Sequence, residues 1–224
     1  MPGGNNRLVA FRSGFLLRRT RIAARRGKVV TSRRKRRVSA RDECELIAIG
    51  ASAGGLPALM KIVSTIEPGG PAILVVQHLD PRHKSQIPQL LARRTNLHVK
   101  EAEDGELINR GTIYVGPADE HLLVSEGKIQ LAHSRLVRFS RPSIDVMFAS
   151  VAATYGKHAM GVILSGSNRD GADGIAAIKR AGGITVAQSP ESAEYRIMPQ
   201  AAIDTGCVDH IIALDNMGKA LSQL

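Results

Sequence analysis

The apolar residues of this chain occur in short continuous runs separated by stretches with apolar residues at helical spacing. The continuous runs predict strands at residues 46–49, 72–77, 160–164 and 184–187. The intervening stretches predict helices at residues 56–66, 85–94, 144–155 and 172–181. Apolar strands that alternate with helices indicate an α/β fold with a doubly wound, mostly parallel sheet covered by helices on both faces.

The segment 111–133 has a different pattern. It contains short apolar runs at residues 112–115, 122–124 and 129–131, and the last two flank a turn with Gly127. Glycine tolerates the positive φ that a tight hairpin turn needs. We therefore expect an antiparallel hairpin at the edge of the sheet.

Charge divides the chain into two parts. The net charge of +11 arises from residues 1–44, which hold 14 basic and 2 acidic groups, whereas residues 45–224 hold 17 basic and 18 acidic groups. A near-neutral body gives no electrostatic reason to expect nucleic-acid binding by the folded domain. We predict a basic, disordered head at 1–44 and one catalytic domain at 45–224.

Other interpretations of the basic head stay open. It could be a surface helix that contacts anionic membrane, or a nucleic-acid contact. An arginine-rich leader that is poor in acidic residues is also typical of a targeting peptide, and a wrongly chosen start codon would have the same effect. None of these alternatives changes the interpretation of the body.

Cysteine usage and hydropathy set the expected compartment. Cys44 and Cys207 are the only cysteines, and neither belongs to a spacing typical of a zinc site or a disulfide framework. No apolar stretch approaches the length of about 18 residues that a membrane span requires. We expect a cytoplasmic protein that binds no metal.

Polar side chains follow three of the predicted strands. Ser52 follows the first in a Gly-x-Ser-x-Gly turn, His78 follows the second, and Asp170 lies in the segment after the strand at 160–164. In an open parallel sheet, ligands bind outside the carboxyl ends of the strands. These three residue types compose a Ser-His-Asp triad.

A triad needs these types for chemical reasons. An imidazole accepts the proton of the weakly nucleophilic serine hydroxyl, and a carboxylate fixes the imidazole tautomer. Backbone N–H groups at the start of the following helix, that of Ala53 first, are candidates for an oxyanion hole. The reaction class would be acyl transfer to water.

The same residues have other interpretations. A dinucleotide fingerprint would place Gly50, Ser52 and Gly55 at its three glycine positions, but Ser52 replaces a glycine and no acidic residue ends the second strand. A general α/β-hydrolase has the order Ser, Asp, His, which this chain lacks. Ser52 could be a plain turn residue, His78 a loop histidine, and Asp170 a helix cap.

The body resembles the catalytic domain of the chemotaxis protein-glutamate methylesterases (CheB). The resemblance covers about residues 45–224 and rests on several sequence blocks. They are I-G-A-S-A-G-G at 49–55, Q-H at 77–78, K-E-A-E-D-G-E at 100–106, P-A-D-E-H-L at 117–122, R-P-S-I-D-V-M-F at 141–148, G-V-I-L-S-G at 161–166, R-D-G at 169–171 and M-P at 198–199.

The resemblance implies a nucleophile at Ser52, a base at His78 and an acid at Asp170. It also implies a methylated chemoreceptor as protein substrate, methanol as leaving group, glutamine amide hydrolysis as a second activity, and no cofactor. His121 matches a family block and is expected to be structural or to line the substrate groove. A non-catalytic docking module of the same fold, or an esterase for another carboxyl ester, stays open as an alternative.

Two departures from the family pattern bear on substrate and control. Ser167 stands where the family commonly has a methionine, so the lining of the substrate site is expected to differ there. Most family members also carry a phosphoryl-accepting receiver domain. A 44-residue arginine-rich segment is too short to form one, so we expect no receiver domain in this chain.

Overall fold

The computed structural model describes residues 44–78 and 85–224. The predictions made for the basic head concern residues that lie outside these described ranges. Within the described ranges, no helix is both long and apolar enough to cross a membrane.

Seven of the strands in the described ranges form one parallel sheet in the order β3-β4-β2-β1-β7-β8-β9. They are β1 Leu46–Ala51, β2 Ala72–Gln77, β3 His98–Glu101, β4 Thr112–Val115, β7 Ala159–Ile163, β8 Ile184–Gln188 and β9 His210–Ile212. Two further strands, β5 His121–Ser125 and β6 Lys128–Ala132, pair antiparallel in a second sheet. The α/β fold class is confirmed.

Helices cover both faces of the parallel sheet. They are α1 Gly55–Val63, α2 Ile87–Ala92, α3 Ile144–Tyr155, α4 Ala172–Arg180, α5 Ile197–Ile203 and α6 Leu214–Leu221, and a 3₁₀ turn at Gly156–His158 follows α3. Alternate residues of β1 point to opposite faces: Ile47 and Ile49 pack in the core that includes α1 and α6, and Leu46 packs in the core that includes α3 and α4. Burial on both faces explains why β1 is a continuous apolar run.

The strand order reverses at β1. After β1 the chain places β2, β3 and β4 on one side of β1, and then β7, β8 and β9 on the other. The crevice between the carboxyl ends of β1 and β7 is therefore the topological switch point, where α/β proteins bind their ligands. Ser52 and the segment 165–170 both follow strands that end there.

The predicted hairpin forms a small sheet of its own, and the run at residues 112–115 joins the main sheet as β4. Glu126 and Gly127 have φ values of 52° and 72°, as the central residues of a type I′ turn require. The hairpin packs on α3: the Val124 N–H donates to Ser150 Oγ at 3.1 Å, and the Thr154 hydroxyl donates to the Val124 carbonyl at 3.0 Å.

Four elements were not predicted from the sequence: β3, β9, α5 and α6. Each of the two strands lies at an edge of the main sheet, where partial exposure removes the apolar run that marks a buried strand. Helix α6 contains Asn216 and Gly218, which are poor helix formers. Gly218 is nevertheless required, because a Cβ there would lie 1.8 Å from Thr65 Oγ1.

Candidate active site

Ser52 begins a tight turn between β1 and α1. The Gly55 N–H donates to the Ser52 carbonyl at 2.8 Å, and Gly54 has φ 68° and ψ 4°. These angles are those of the third residue of a type II turn, which favours glycine. A Cβ on Gly54 would also lie 2.8 Å from Ser165 Oγ. The turn therefore needs glycine both for its backbone angles and for space.

Hydrogen bonds from neighbouring strand ends fix this turn. The Ser52 N–H donates to the Ser165 carbonyl at 2.9 Å, and the Ser165 hydroxyl donates to the Ala53 carbonyl at 2.7 Å. From the other side, Gln77 Nε2 donates to the Ser52 carbonyl at 2.7 Å and to the His78 carbonyl at 3.2 Å. The main chain at Ser52 is thus tied to both strands that flank β1.

The His78 side chain lies between a serine and a carboxylate. The main-chain N–H of His78 donates to the Ala51 carbonyl at 3.1 Å, and this bond continues the pairing of β1 with β2 beyond the strands. The ring has two further partners. Its Nδ1 lies 3.1 Å from Ser52 Oγ, and its Nε2 lies 2.9 Å from Asp170 Oδ2. The side chain is 14% exposed, so the ring is shielded on most sides.

The Asp170 carboxylate is fully buried at the N-terminus of α3. Oδ1 accepts from the Ser143 hydroxyl at 2.9 Å and the Asp145 N–H at 3.0 Å, and Oδ2 accepts from the Ile144 N–H at 2.7 Å. Burial acts to raise the pKa of Asp170, but the hydrogen bonds from His78 and the two backbone amides outweigh burial and lower the pKa. The carboxylate is therefore ionised at neutral pH.

The ionised carboxylate determines the state of the imidazole. Because Asp170 can only accept hydrogen bonds, the His78 nitrogen that faces it, Nε2, carries the proton. Nδ1 is then the acceptor in neutral His78, and the Ser52 hydroxyl donates to it. This arrangement can move the serine proton onto Nδ1 and stabilise the resulting imidazolium.

Comparisons with known proteins show the family of this chain. The family model described as CheB methylesterase matches residues 47–221. The chain belongs to the CheB methylesterase family. It is 39% identical over 182 residues to a protein of Leptospira interrogans named putative protein-glutamate methylesterase/protein-glutamine glutaminase. These residues are 80% of this chain and 94% of the relative.

Two further comparisons extend over most of the chain. A Sulfurimonas denitrificans protein-glutamate methylesterase/protein-glutamine glutaminase is 36% identical over 211 residues, which are 91% of this chain and 60% of the relative. The crystal structure of the Thermotoga maritima CheB methylesterase catalytic domain matches with a TM-score of 0.76 and 30% identity, covering 80% of this chain and 97% of that domain. The chain thus has the fold of a CheB methylesterase catalytic domain.

Ala53 is the residue whose N–H the sequence predicts as a donor to the oxyanion in this CheB domain. Its carbonyl accepts from Ser165, and its N–H donates to no acceptor among the described residues. It directly follows Ser52 and precedes α1. A free N–H at this position can donate to an oxyanion that forms on the atom bonded to Ser52 Oγ.

Ser167 is exposed, and among the described residues it makes no hydrogen bond to the imidazole. The next residue, Asn168, makes that contact, with Nδ2 3.3 Å from His78 Nδ1. The only feature of the sequence that marks Asn168 is its position two residues before Asp170 in the same strand-end segment.

A groove of about 270 Å³ opens beside His78 in this CheB domain. Its other walls come from the loop before α3, including Leu136, Phe139 and Arg141. Phe139 is 97% exposed and has a φ of 63°. The preceding Arg138 pairs with Asp145 and Asp173 and so holds this loop against α3 and α4.

His121 and Asp145 bind the segments that position Asp170. His121 is buried; its Nδ1 accepts from the Ser143 N–H at 3.1 Å, and its Nε2 donates to the Arg135 carbonyl at 3.0 Å. Asp145 Oδ1 accepts from the N–H groups of Gly171 and Gly174 at 2.9 and 2.8 Å. Burial raises the pKa of Asp145, and the negative charge of Asp170 adds to this effect. The loop at Asp170 is therefore bonded to α3 through both aspartates.

Proposed function

We propose that this protein is a serine hydrolase that removes methyl esters from glutamate side chains of methylated chemoreceptors. The observation that supports the proposal is the chain of hydrogen bonds from Ser52 Oγ through His78 to buried Asp170. Membership of the CheB methylesterase family, and relatives named protein-glutamate methylesterase/protein-glutamine glutaminase, support the substrate class. Hydrolysis of glutamine amides is the second proposed activity.

The proposed reaction begins with attack by Ser52 Oγ on the ester carbonyl carbon. The hydroxyl proton passes to His78 Nδ1, and Asp170 stabilises the imidazolium through Nε2. The Ala53 N–H donates to the oxyanion, where one such donor contributes about 10²–10³ in kcat. The bond from carbon to the methoxy oxygen then breaks, and the Nδ1 proton goes to that oxygen to give methanol.

The second half of the reaction regenerates the enzyme. A water molecule loses a proton to His78 Nδ1 as its oxygen attacks the carbonyl carbon of the glutamyl-serine ester. The bond from carbon to Ser52 Oγ breaks, and the proton on Nδ1 returns to Oγ. The products are the free glutamate side chain and unmodified Ser52, so no cofactor is needed for the balance.

The decisive experiment measures methanol release from a methylated chemoreceptor fragment. The Ser52→Ala variant removes the nucleophile, and we expect kcat to fall by about 10⁶, as in other serine hydrolases. The matched control is Ser64→Ala at the exposed end of α1, which should keep the wild-type rate. A Ser52→Ala rate within tenfold of wild type would refute the mechanism.

The two rival functions give different results in the same assay. A non-catalytic docking module would bind the fragment without releasing methanol in the wild type. An esterase for another carboxyl ester would cleave a simple methyl ester in a manner that depends on Ser52, but would leave the receptor fragment methylated. The proposed function requires release from the fragment itself.

A further inference from the structure

The side-chain amide of Asn168 has a defined orientation. Its Oδ1 accepts from the Asp170 N–H at 3.0 Å, so the oxygen must occupy that position. The amide nitrogen Nδ2 is consequently the atom that faces His78 Nδ1, at 3.3 Å. Asn168 therefore presents an N–H donor to the catalytic side of the imidazole.

Two donors converge on one lone pair. Because Nε2 carries the proton that faces Asp170, neutral His78 has a single in-plane acceptor site at Nδ1. The Ser52 hydroxyl lies 3.1 Å from this nitrogen and the Asn168 amide 3.3 Å from it. The reaction requires the serine hydroxyl, and not the Asn168 amide, to donate to Nδ1. The Asn168 N–H is therefore available to another acceptor.

The leaving group must approach the same place. To take the proton from His78, the leaving atom has to come within hydrogen-bond distance of Nδ1, about 3 Å. The Asn168 amide nitrogen lies 3.3 Å from the same Nδ1. A leaving atom that approaches Nδ1 therefore comes near the Asn168 N–H as well.

Esters and amides present opposite chemistry at this atom. A methoxy oxygen has lone pairs and no hydrogen, so it accepts from the Asn168 N–H. The nitrogen of a primary amide is only a donor in the ground state, because its lone pair is delocalised into the carbonyl. In the tetrahedral intermediate the nitrogen has one lone pair, which takes the His78 proton, so none is left to accept from Asn168. A donor that faces a donor loses its hydrogen bond and is left unpaired in a partly buried site.

We propose that Asn168 is a specificity-determining residue that favours the methyl ester over the glutamine amide. The inference rests on the proposed function and concerns which of its two activities, ester or amide hydrolysis, the site favours. With the ester, Asn168 stabilises the departing methoxy oxygen while His78 delivers the Nδ1 proton to it, and methanol leaves. With the amide, the same proton transfer expels ammonia without help from Asn168.

The test uses two matched forms of one chemoreceptor fragment, with glutamate methyl ester or glutamine at the same position. Methanol and ammonia release give kcat/KM for each form in wild type, Asn168→Asp and Asn168→Ala. Asn168→Asp keeps the acceptor for the Asp170 N–H but replaces the donor with an acceptor. Asn168→Ala removes the donor without adding charge.

We expect the ester-to-amide ratio of kcat/KM to fall by about tenfold in Asn168→Asp and by about threefold in Asn168→Ala, since one hydrogen bond is lost or reversed. The carboxylate of Asn168→Asp also adds a charge beside His78, so the uncharged Asn168→Ala decides the result. A ratio within twofold of wild type in Asn168→Ala, with circular dichroism unchanged, would overturn the inference even if Asn168→Asp were inactive. Failure of the proposed function is distinct, because wild type would then release no methanol.

Discussion

His78 Nε2 lies 2.9 Å from Asp170 Oδ2, so the carboxylate holds the imidazole at the nitrogen remote from the main chain. In the serine-protease arrangement the carboxylate binds Nδ1 and the serine faces Nε2. Here Ser52 faces Nδ1. The required neutral tautomer therefore has its proton on Nε2, the opposite of the serine-protease tautomer.

Asp170→Asn should lower kcat by about 10⁴, because the wrong tautomer is stabilised. Both carboxylate oxygens accept backbone N–H groups, at Ile144 and Asp145, so an asparagine NH₂ group faces a donor in either orientation. If the NH₂ group faces Nε2, it donates there and leaves the proton on Nδ1. Methanol release measures the effect.

The control for this substitution is Asp215→Asn, which changes an exposed aspartate in α6. It should keep the wild-type rate. An Asp170→Asn enzyme with more than about a tenth of wild-type kcat would show that tautomer control by Asp170 is not needed, since triads depend on it by several orders of magnitude.

Asp170 should also make stability depend on pH in the acid range. Its folded-state pKa is lowered, whereas the unfolded chain has the ordinary value of about 3.9. The unfolded state then binds the proton first as pH falls. The stabilisation is therefore complete above the unfolded pKa and is lost as pH falls through the folded pKa.

Urea unfolding between pH 2.5 and 7 measures this contribution as the difference between wild type and Asp170→Asn. The difference should be constant near neutrality and shrink below pH of about 4. Asp145 has a raised pKa and the opposite pH dependence, and part of that rise comes from the charge of Asp170, so Asp145 offsets part of the decrease. A difference that stays constant down to pH 2.5 would contradict the lowered pKa of Asp170.

Gly54→Ala should damage both stability and activity. The φ of 68° disfavours any side chain, and the new Cβ would lie 2.8 Å from Ser165 Oγ and from the Glu194 side chain. Ser165 binds the Ala53 carbonyl, so the clash moves the turn that carries Ser52. We expect a loss of more than about 2 kcal/mol in unfolding free energy and a fall of at least about tenfold in kcat/KM.

Gly105→Ala separates the two causes. Gly105 has a similar φ of 76° but no atom within 4 Å of an added Cβ. Its cost should be only the backbone strain, about 1 kcal/mol, with unchanged kcat/KM. Equal effects of the two substitutions on activity would mean that the Ser165 contact does not position the turn.

Removal of residues 1–43 tests the basic head. Of the 14 basic groups in residues 1–44, all lie before Asp42, so the truncation removes them together. We expect unchanged methanol release, because the head is predicted to be disordered. If the head instead contacts anionic membrane, the truncated chain will lose salt-sensitive binding to vesicles with anionic lipid. Equal vesicle binding by the full and truncated chains would exclude that alternative.

Strand ends were predictable from sequence because buried parallel strands are continuous apolar runs. The bounds of β2 and α3 agree with the prediction, and Ser52, His78 and Asp170 do lie in hydrogen-bond contact. Their catalytic roles stay a prediction. The order of the strands in the sheet decides which loops meet, and an alternating α/β pattern allows few strand orders.

The contacts within those loops were not predictable. Gln77 is marked in the sequence only by the Q-H block at 77–78, yet its amide donates to the Ser52 and His78 carbonyls, which follow β1 and β2. Asn168 and Ser167 are neighbours with similar polarity, and only the backbone path of the loop decides which one reaches His78. Such contacts depend on side-chain direction, which no periodicity in the sequence encodes.

The docking of Asp170 on the first turn of α3 makes assembly of the site observable by hydrogen exchange. The amide protons of Ile144 and Asp145 are protected by the carboxylate and not by the helix itself, since first-turn N–H groups have no partner within a helix. Their exchange rates therefore measure how often the acid leaves its position. A ligand that closes the site would slow these two amides while the strands of the sheet exchange as before.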